Sequence, residues 1–208
     1  IVKYGELEIK EETDTYVRLG FAAGTLQKYG EGAAKRLTVD LEELDKKIIL
    51  ELDTDQLVFA AEKWQEIMLS TRWGKLSIPI AALPQGTGLE LALGRYAGEA
   101  SWPGGLDHVL SQVEFSTSAN FLKPVLLILE YPAKDVGDGE EVFAFTAGKG
   151  TWKPLAIKPQ DSAFALELTD SCGCAVAAFR GSLADINQHW AKRDILLLNL
   201  KEIISGVT

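Results

Sequence analysis

The sequence predicts a mainly β fold: a β-sandwich with one or two short helices and a C-terminal helical segment. Short apolar-rich segments recur at spacings of about 8 to 12 residues, a spacing typical of sandwiches and barrels. Glycine occurs 19 times and marks turns between these segments. The pattern changes after Arg180-Gly181, where helical periodicity begins. We therefore expect a β-sandwich-like domain over residues 1–180 and a separate helical segment over residues 182–208.

The expected strands follow one another along the first 180 residues. Residues 47–52 read Lys-Ile-Ile-Leu-Glu-Leu, a composition typical of a strand, and residues 89–93 alternate as Leu-Glu-Leu-Ala-Leu. Residues 125–131 are nearly continuous in apolar residues, which indicates a central strand buried on both faces. A short helix is expected over residues 56–63, with Thr54 or Asp55 as its N-cap. The remaining expected strands are residues 7–9, 16–19, 64–70, 74–80, 109–115, 142–146, 152–157, 163–168 and 174–179.

Charge and hydropathy exclude two classes of partner. The formal net charge is −9 and the pI is about 4.8, so the chain repels phosphate backbones and anionic lipid surfaces. No apolar run reaches the roughly 18 residues that a membrane-spanning helix needs. We expect neither a nucleic-acid partner nor a membrane partner.

The metal-ligating residues are sparse. Cys172 and Cys174 flank one glycine, and on a strand their side chains point to one face about 6 to 7 Å apart. A redox or metal pair is one interpretation, but two thiols without a nearby His do not complete a zinc site, so two small buried residues are favoured. The turn at residues 134–139 carries two Asp but lacks EF-hand spacing, which favours a hairpin turn over a calcium loop. The sequence therefore predicts no metal and no cofactor.

The titratable residues show no catalytic pattern. Glycosidases need two facing carboxylates, whereas the acidic pairs here, such as Glu140-Glu141, lie beside turns and are typical of solvated faces. Neither His108 nor His189 has a nucleophile or acid partner nearby in the sequence. We expect no enzymatic activity and name no catalytic residue.

Tryptophans provide the main evidence for an alternative, a carbohydrate-binding module. Trp102 lies in a loop-like stretch rich in Pro and Gly, and Trp73 precedes Gly74 in another turn. Exposed aromatic rings at such positions are unusual without a partner, and they can stack on sugar rings. The competing interpretation, which we favour, is that both rings cap the ends of the sandwich core.

The C-terminal segment has the pattern of a helix with a defined start and end. Asp185 or Asn187 can cap its start, and Gly206 can end it. It also carries a spaced motif made of Asp185, Ile186, His189, Trp190, Ala191, Ile195, Leu198, Ile203, Ile204 and Gly206. On these residues the segment resembles the first half of an S-layer homology repeat. Glu202 departs from the family pattern, which often has Gly there, and three leucines replace residues expected to be more polar: Leu196, Leu197 and Leu200.

The upstream part is similar to the β-rich domain that precedes S-layer homology repeats in some bacterial surface proteins. The matching stretches are residues 76–83, residues 121–131 and Trp152-Lys153-Pro154. The His-Phe-Ser segment that often follows in such domains is missing here.

The resemblance implies a non-catalytic structural spacer of an extracellular, wall- or S-layer-associated protein. Complete repeats of the family bind cell-wall polysaccharide through a Thr-Arg-Ala-Glu-like stretch in their second half, and no Arg-Ala-Glu occurs in this sequence. The polysaccharide partner is therefore expected to bind complete repeats elsewhere in the parent protein. Trp190 is expected to pack in a core and His189 to form a structural hydrogen bond. The three extra leucines are expected to pack on the sandwich or on a second copy of the chain.

Overall fold

The computed structural model describes residues 1–32, 34–180, 186 and 188–203, and these residues form two compact units. Each unit is assembled from separate stretches of chain. The first contains Ile1–Arg95, Val113–Ile128 and Ala165–Ser171. The second contains Tyr96–Gln112, Leu129–Phe164 and the described residues from Cys172 onward. The predicted boundary between the domains at 1–180 and 182–208 lies at residue 181, which is outside the described residues.

The described chain is mainly β, with two large mixed sheets and three α-helices, which confirms the predicted fold class. The helices are α1 (Thr25–Gly30), α2 (Thr54–Lys63) and α3 (Lys192–Leu200). The strands are β1 (Val2–Lys3), β2 (Leu7–Glu12), β3 (Tyr16–Phe21), β4 (Arg36–Leu41), β5 (Lys47–Leu52), β6 (Glu66–Thr71), β7 (Gly74–Pro79), β8 (Leu89–Arg95), β9 (Leu106–Thr117), β10 (Val125–Glu130), β11 (Glu141–Gly148), β12 (Thr151–Pro154), β13 (Ala163–Leu168) and β14 (Cys172–Phe179).

The first unit contains strands of both sheets. One sheet has the order β1-β4-β6-β7-β10-β13, with parallel pairing from β1 through β6 and antiparallel pairing of β6 with β7 and of β7 with β10. The other has the order β9-β8-β5-β3-β2, in which only the β3–β5 pair among these strands is parallel. Strand β9 contributes Val113–Thr117 to this unit.

Alternating burial shows why these segments form strands. Leu37, Val39 and Leu41 of β4 are buried, and the residues between them are only partly so. Strand β5 repeats the pattern with Ile48, Leu50 and Leu52. Because successive side chains of a strand point to opposite faces, each strand has one buried face, as in a sandwich.

Two expectations for the first unit are corrected. The N-cap of α2 is Asp53 rather than Thr54 or Asp55, because its carboxylate accepts the Gln56 N–H at 2.8 Å while the Gln56 side chain accepts the Asp53 N–H. Strand β10 is not buried on both faces, since Leu126 and Ile128 are only half-buried, and it lies next to the last strand in its sheet.

The second unit is built around four neighbouring strands, β12-β11-β14-β9, with β9 contributing Leu106–Gln112. Strand β11 pairs antiparallel with both β12 and β14. Helix α3 covers a shorter range than the helical pattern predicted over residues 182–208. The caps proposed for that pattern, Asp185, Asn187 and Gly206, lie outside the described residues. The core of this unit consists of Phe143, Phe145, Trp152, Ala175, Ala177, Phe179, Ile186, Leu196 and Leu200.

Within the described residues, no helix combines the length and apolar character that crossing a membrane requires.

Candidate functional site

Helix α3 is attached to the second unit by an apolar face. Leu196 and Leu200, four residues apart and therefore on one side of the helix, are buried in the same core as Phe143 and Phe179. Leu197 packs partly against this core. These contacts confirm that the extra leucines pack on the β-rich part of the chain.

Polar contacts fix the beginning of α3. Arg193 donates from Nη1 to the Val142 carbonyl at 2.6 Å and from Nη2 to the Ile157 carbonyl at 2.9 Å. Its guanidinium lies 4.5 Å from the Phe143 ring centroid, a cation–π contact. Burial lowers the pKa of Arg193, but an Arg side chain stays charged in proteins. The neighbouring Lys192 donates to the Gly139 carbonyl, so α3 bonds to the backbone on both sides of Glu140 and Glu141.

Of the residues that carry the resemblance, those that the structure describes lie before α3, on it and just after it. His189 Nδ1 accepts the Ala191 N–H at 3.1 Å, which confirms a structural hydrogen bond. Ile195 packs partly against the core, whereas Leu198 is 38% exposed and Ile203 is exposed. Three further residues of the motif lie outside the described part of the chain, namely Asp185, Ile204 and Gly206.

The expectation that Trp190 packs in a core is wrong. Its side chain is 91% exposed and stacks on the His189 ring, with centroids 5.6 Å apart. Helix α3 begins only at Lys192, so Trp190 lies in the preceding turn and not on the face that carries Leu196 and Leu200.

Glu202, where the family pattern often has glycine, adopts a left-handed backbone conformation with φ +58°. This conformation is strained for most side chains and suits glycine. The sequence therefore has glutamate at a position where the backbone conformation favours glycine, the usual residue of the family pattern.

Trp102 stands beside a cleft of about 460 Å³ in the second unit. The loop that carries it is fixed to β12 by two backbone hydrogen bonds of 2.9 Å, from Ser101 N–H to the Gly150 carbonyl and from Trp152 N–H to the Ser101 carbonyl. The Trp102 ring stacks on buried Trp152, with centroids 4.9 Å apart at 19°, and meets Phe145 edge-on. Trp102 therefore caps a core, as favoured from sequence, while it also lines the cleft.

Trp73, the other candidate sugar-stacking residue, belongs to the first unit, whereas Trp102 belongs to the second. The Trp73 Nε1–H donates to the Lys46 carbonyl at 3.1 Å, and the Arg72 guanidinium lies 5.8 Å from the ring centroid. These contacts are sufficient to account for a half-buried tryptophan at this turn.

The two cysteines are closer than strand geometry predicts. Their sulfurs are 3.3 Å apart. Cys174 is buried, and contact with Cys172 together with burial raises the pKa of its thiol, so Cys174 stays protonated. The interpretation as small buried residues holds for Cys174, whereas Cys172 is only half-buried.

A cluster that the sequence did not reveal lies at the start of β9. Asp107, His108 and Glu140 place one potential metal-ligating atom each within 4.8 Å of one another. Glu140 follows the stretch at residues 134–139, which is not the expected hairpin turn, because β10 pairs with β7 while β11 pairs with β12 and β14. Glu140 and His108 are far apart in the sequence and meet only through the tertiary fold. The spacing of residues along the chain therefore could not indicate this cluster.

No family model matches the chain, and no curated protein matches it either.

Proposed function

We propose that this chain is a non-catalytic structural spacer of a bacterial cell-surface protein, with its C-terminal segment forming the start of an S-layer homology repeat. The observation that carries the proposal is the attachment of α3 to the second unit. Leu196 and Leu200 are built into the unit's core, and Arg193 bonds to two carbonyls of different chain segments. A spacer must transmit tension through the segment that leads to its anchor, and this attachment provides such a connection.

Glu202 supports the family assignment independently of composition. Its left-handed backbone is the conformation for which glycine, the usual residue of the repeat at this position, is best suited. Under this proposal the chain works outside the cell, at the cell wall or S-layer. Its polysaccharide partner binds complete repeats of the parent protein, and the chain itself needs no cofactor.

The test is mechanical and compares two leucines of one helix. We expect the wild-type chain, stretched between its termini with optical tweezers, to keep α3 attached until the second unit unfolds. Leu196→Asp places a charge in the core and should release the tail in a separate early step at lower force. Leu198 lies on the exposed side of α3, so the Leu198→Asp variant should behave like the wild type. An early release step in the wild type would contradict the spacer proposal.

A carbohydrate-binding module is the second candidate, and the cleft beside Trp102 favours it. Ser101, Thr151, Lys201 and Glu202 line this cleft with groups that can hydrogen-bond to sugar hydroxyls, next to an aromatic ring. The Trp102 face against Trp152 is already occupied, so this face is not available for stacking on a sugar ring.

Affinity electrophoresis through gels that contain wall and plant polysaccharides separates the two functions. Retardation by one glycan that is lost in Trp102→Leu, which still fills the core, would favour the module. Trp73→Ala serves as the comparison, because Trp73 lies in the other unit. Free migration of the wild-type chain through every gel is the result expected of the spacer.

A further inference from the structure

One nitrogen and two carboxylates converge in the second unit around His108. Asp107 and His108 belong to β9, and Glu140 directly precedes β11. The ligating atoms of the three side chains lie within 4.8 Å of one another. One imidazole and two carboxylates are a donor set that suits Zn²⁺ and similar divalent transition ions.

The hydrogen bond of His108 orients its ring for metal binding. Nε2 lies 2.8 Å from the Asp135 carbonyl oxygen, and because a carbonyl can only accept, Nε2 carries the proton. The lone pair of the neutral ring is then on Nδ1, which lies 3.9 Å from Glu140 Oε1. A ligating histidine usually donates its other N–H to a carbonyl or carboxylate in this way.

Glu140 presents one carboxylate oxygen to the same point. Its side chain is only 3% exposed, and Oε2 accepts the Gly137 N–H at 2.6 Å. Oε1 instead faces His108 Nδ1 at 3.9 Å and Arg180 Nη2 at 3.6 Å. A buried carboxylate needs a positive partner, and both of these contacts are longer than a hydrogen bond.

Arg180 supplies the positive charge in the structure. Its side chain is 64% exposed, and it lies 3.5 Å from Asp107 Oδ2 as well as 3.6 Å from Glu140 Oε1. An exposed arginine between two carboxylates is a weak partner, because water screens the charges and the long side chain loses entropy when it is held. The space between these carboxylate oxygens therefore favours a cation. A cation that binds them more tightly than Arg180 can displace it.

We propose that Asp107, His108 and Glu140 form a binding site for a divalent transition-metal ion, with Zn²⁺ as the best-fitting ion, and that Arg180 is displaced when the ion binds. Tetrahedral bonds of about 2.0 to 2.2 Å require ligand atoms about 3.3 to 3.6 Å apart, so the ligands must approach each other. Asp107 and His108 have side chains 38% and 39% exposed and are able to move towards Glu140. Three protein ligands leave the fourth position to water.

The experiment is Zn²⁺ titration by calorimetry of the tag-free chain carrying Cys172→Ser and Cys174→Ser, which removes the thiols as competing ligands. We expect one ion per chain. His108→Ala and Glu140→Gln should each weaken binding by about tenfold or more. Glutamine keeps an oxygen that can accept the Gly137 N–H, so Glu140→Gln is expected to fold. His189→Ala is the matched control, since it removes the other histidine and should bind like its parent.

Arg180→Gln provides the decisive variant, because it distinguishes this site from a generic acidic surface. If Arg180 competes with the ion, its removal should tighten Zn²⁺ binding by roughly threefold to tenfold. Zn²⁺ should also raise the melting temperature of the parent but not of Glu140→Gln. Absence of binding, or equal affinity of the parent and the His108→Ala variant, would overturn the proposal, as would weaker binding by Arg180→Gln.

Discussion

Single side chains determine whether each core holds together. Leu127 in β10 is completely buried in the first unit, as is Val125 of the same strand. Leu122, five residues earlier, is 61% exposed. The same substitution at these two leucines therefore separates the effect of burial from the effect of added charge.

We expect Leu127→Asp to unfold the first unit. An unpaired carboxylate in an apolar core costs more than about 4 kcal/mol, which is a large part of the stability of an ordinary domain. Leu122→Asp should melt like the wild type. Thermal unfolding followed by circular dichroism provides the comparison, and unchanged cooperative melting of Leu127→Asp would refute the buried position of β10.

Glu202 offers the opposite case, a substitution that should stabilise the chain. Its φ of +58° is strained for glutamate and relaxed for glycine, so Glu202→Gly should raise the free energy of unfolding of the second unit by about 0.5 to 1 kcal/mol. Lys201→Gly, at a residue with φ −83°, gains no such relief and should be neutral or destabilising. Urea unfolding measures both variants, and a loss of stability in Glu202→Gly would show that the side chain makes compensating contacts.

At the scale of elements, charged pairs connect neighbouring strands of the first unit. Glu51 on β5 accepts from Lys10 on β2 at 2.7 Å and from Arg18 on β3. Arg18 also donates to Glu90 on β8 at 2.9 Å. Four adjacent strands thus share one ionic network on a sheet face, and networks contribute more than isolated surface pairs.

This network should make the first unit sensitive to acid. The hydrogen bond from Lys10, and then that from Arg18, lowers the pKa of Glu51 in the folded state. The stabilisation is therefore present above the ordinary carboxylate pKa and is lost as the pH falls through the lowered folded value. We expect Glu51→Gln to lose about 1 kcal/mol of stability near pH 7 and to show a shallower decrease on acidification than the wild type.

Urea unfolding at several pH values measures this prediction. Glu62→Gln, on the exposed surface of α2, serves as the control and should follow the wild-type pH dependence. An identical slope for Glu51→Gln and the wild type would mean that the network does not contribute to acid sensitivity.

Elements with strong period-two alternation were predictable from sequence. The expected strand at residues 47–52 matches β5, and that at 163–168 matches β13, because apolar residues recur at every second position of both segments. Strand β4 carries the same signal in Leu37, Val39 and Leu41, and the prediction overlooked it. The apolar run of β10 led to the wrong prediction that both faces of this strand are buried, since composition alone cannot distinguish one buried face from two.

The site residues were less predictable, because their neighbours come from distant parts of the chain. Which face of α3 turns inward depends on the sheet it meets, and this sheet buries Leu196 and Leu200 while Leu198 stays exposed. Glu140 meets His108 through tertiary folding alone. Trp102 was identified correctly as a core-capping residue, because large aromatic side chains supply much of the burial of a core.

At the scale of the whole molecule, neither unit is a continuous piece of chain. The first unit takes its last stretch from Ala165–Ser171, which contains most of β13, the neighbour of β10. Leu166 and Leu168 of this stretch are buried. The first unit is therefore complete only when a segment near the C-terminal end is in place.

We expect a chain that ends at residue 160 to lose hydrogen-exchange protection in β10, because its neighbour β13 is absent and the edge of β10 that β13 covers meets water. A chain that ends at residue 180 retains every stretch of the first unit and should keep that protection. Hydrogen exchange followed by mass spectrometry compares the two chains. Equal protection in both would show that β13 is dispensable for the first unit.

The interleaved connectivity has a consequence for the order of events during synthesis. A ribosome makes Ile1–Arg95 first, yet this stretch must wait for Ala165–Ser171, which is translated only after most of the second unit has been made. Early strands with apolar faces thus spend much of translation without their final neighbours, a period in which chaperones or rapid elongation would limit aggregation. For that reason a chain that is stable once folded is difficult to produce in separate pieces.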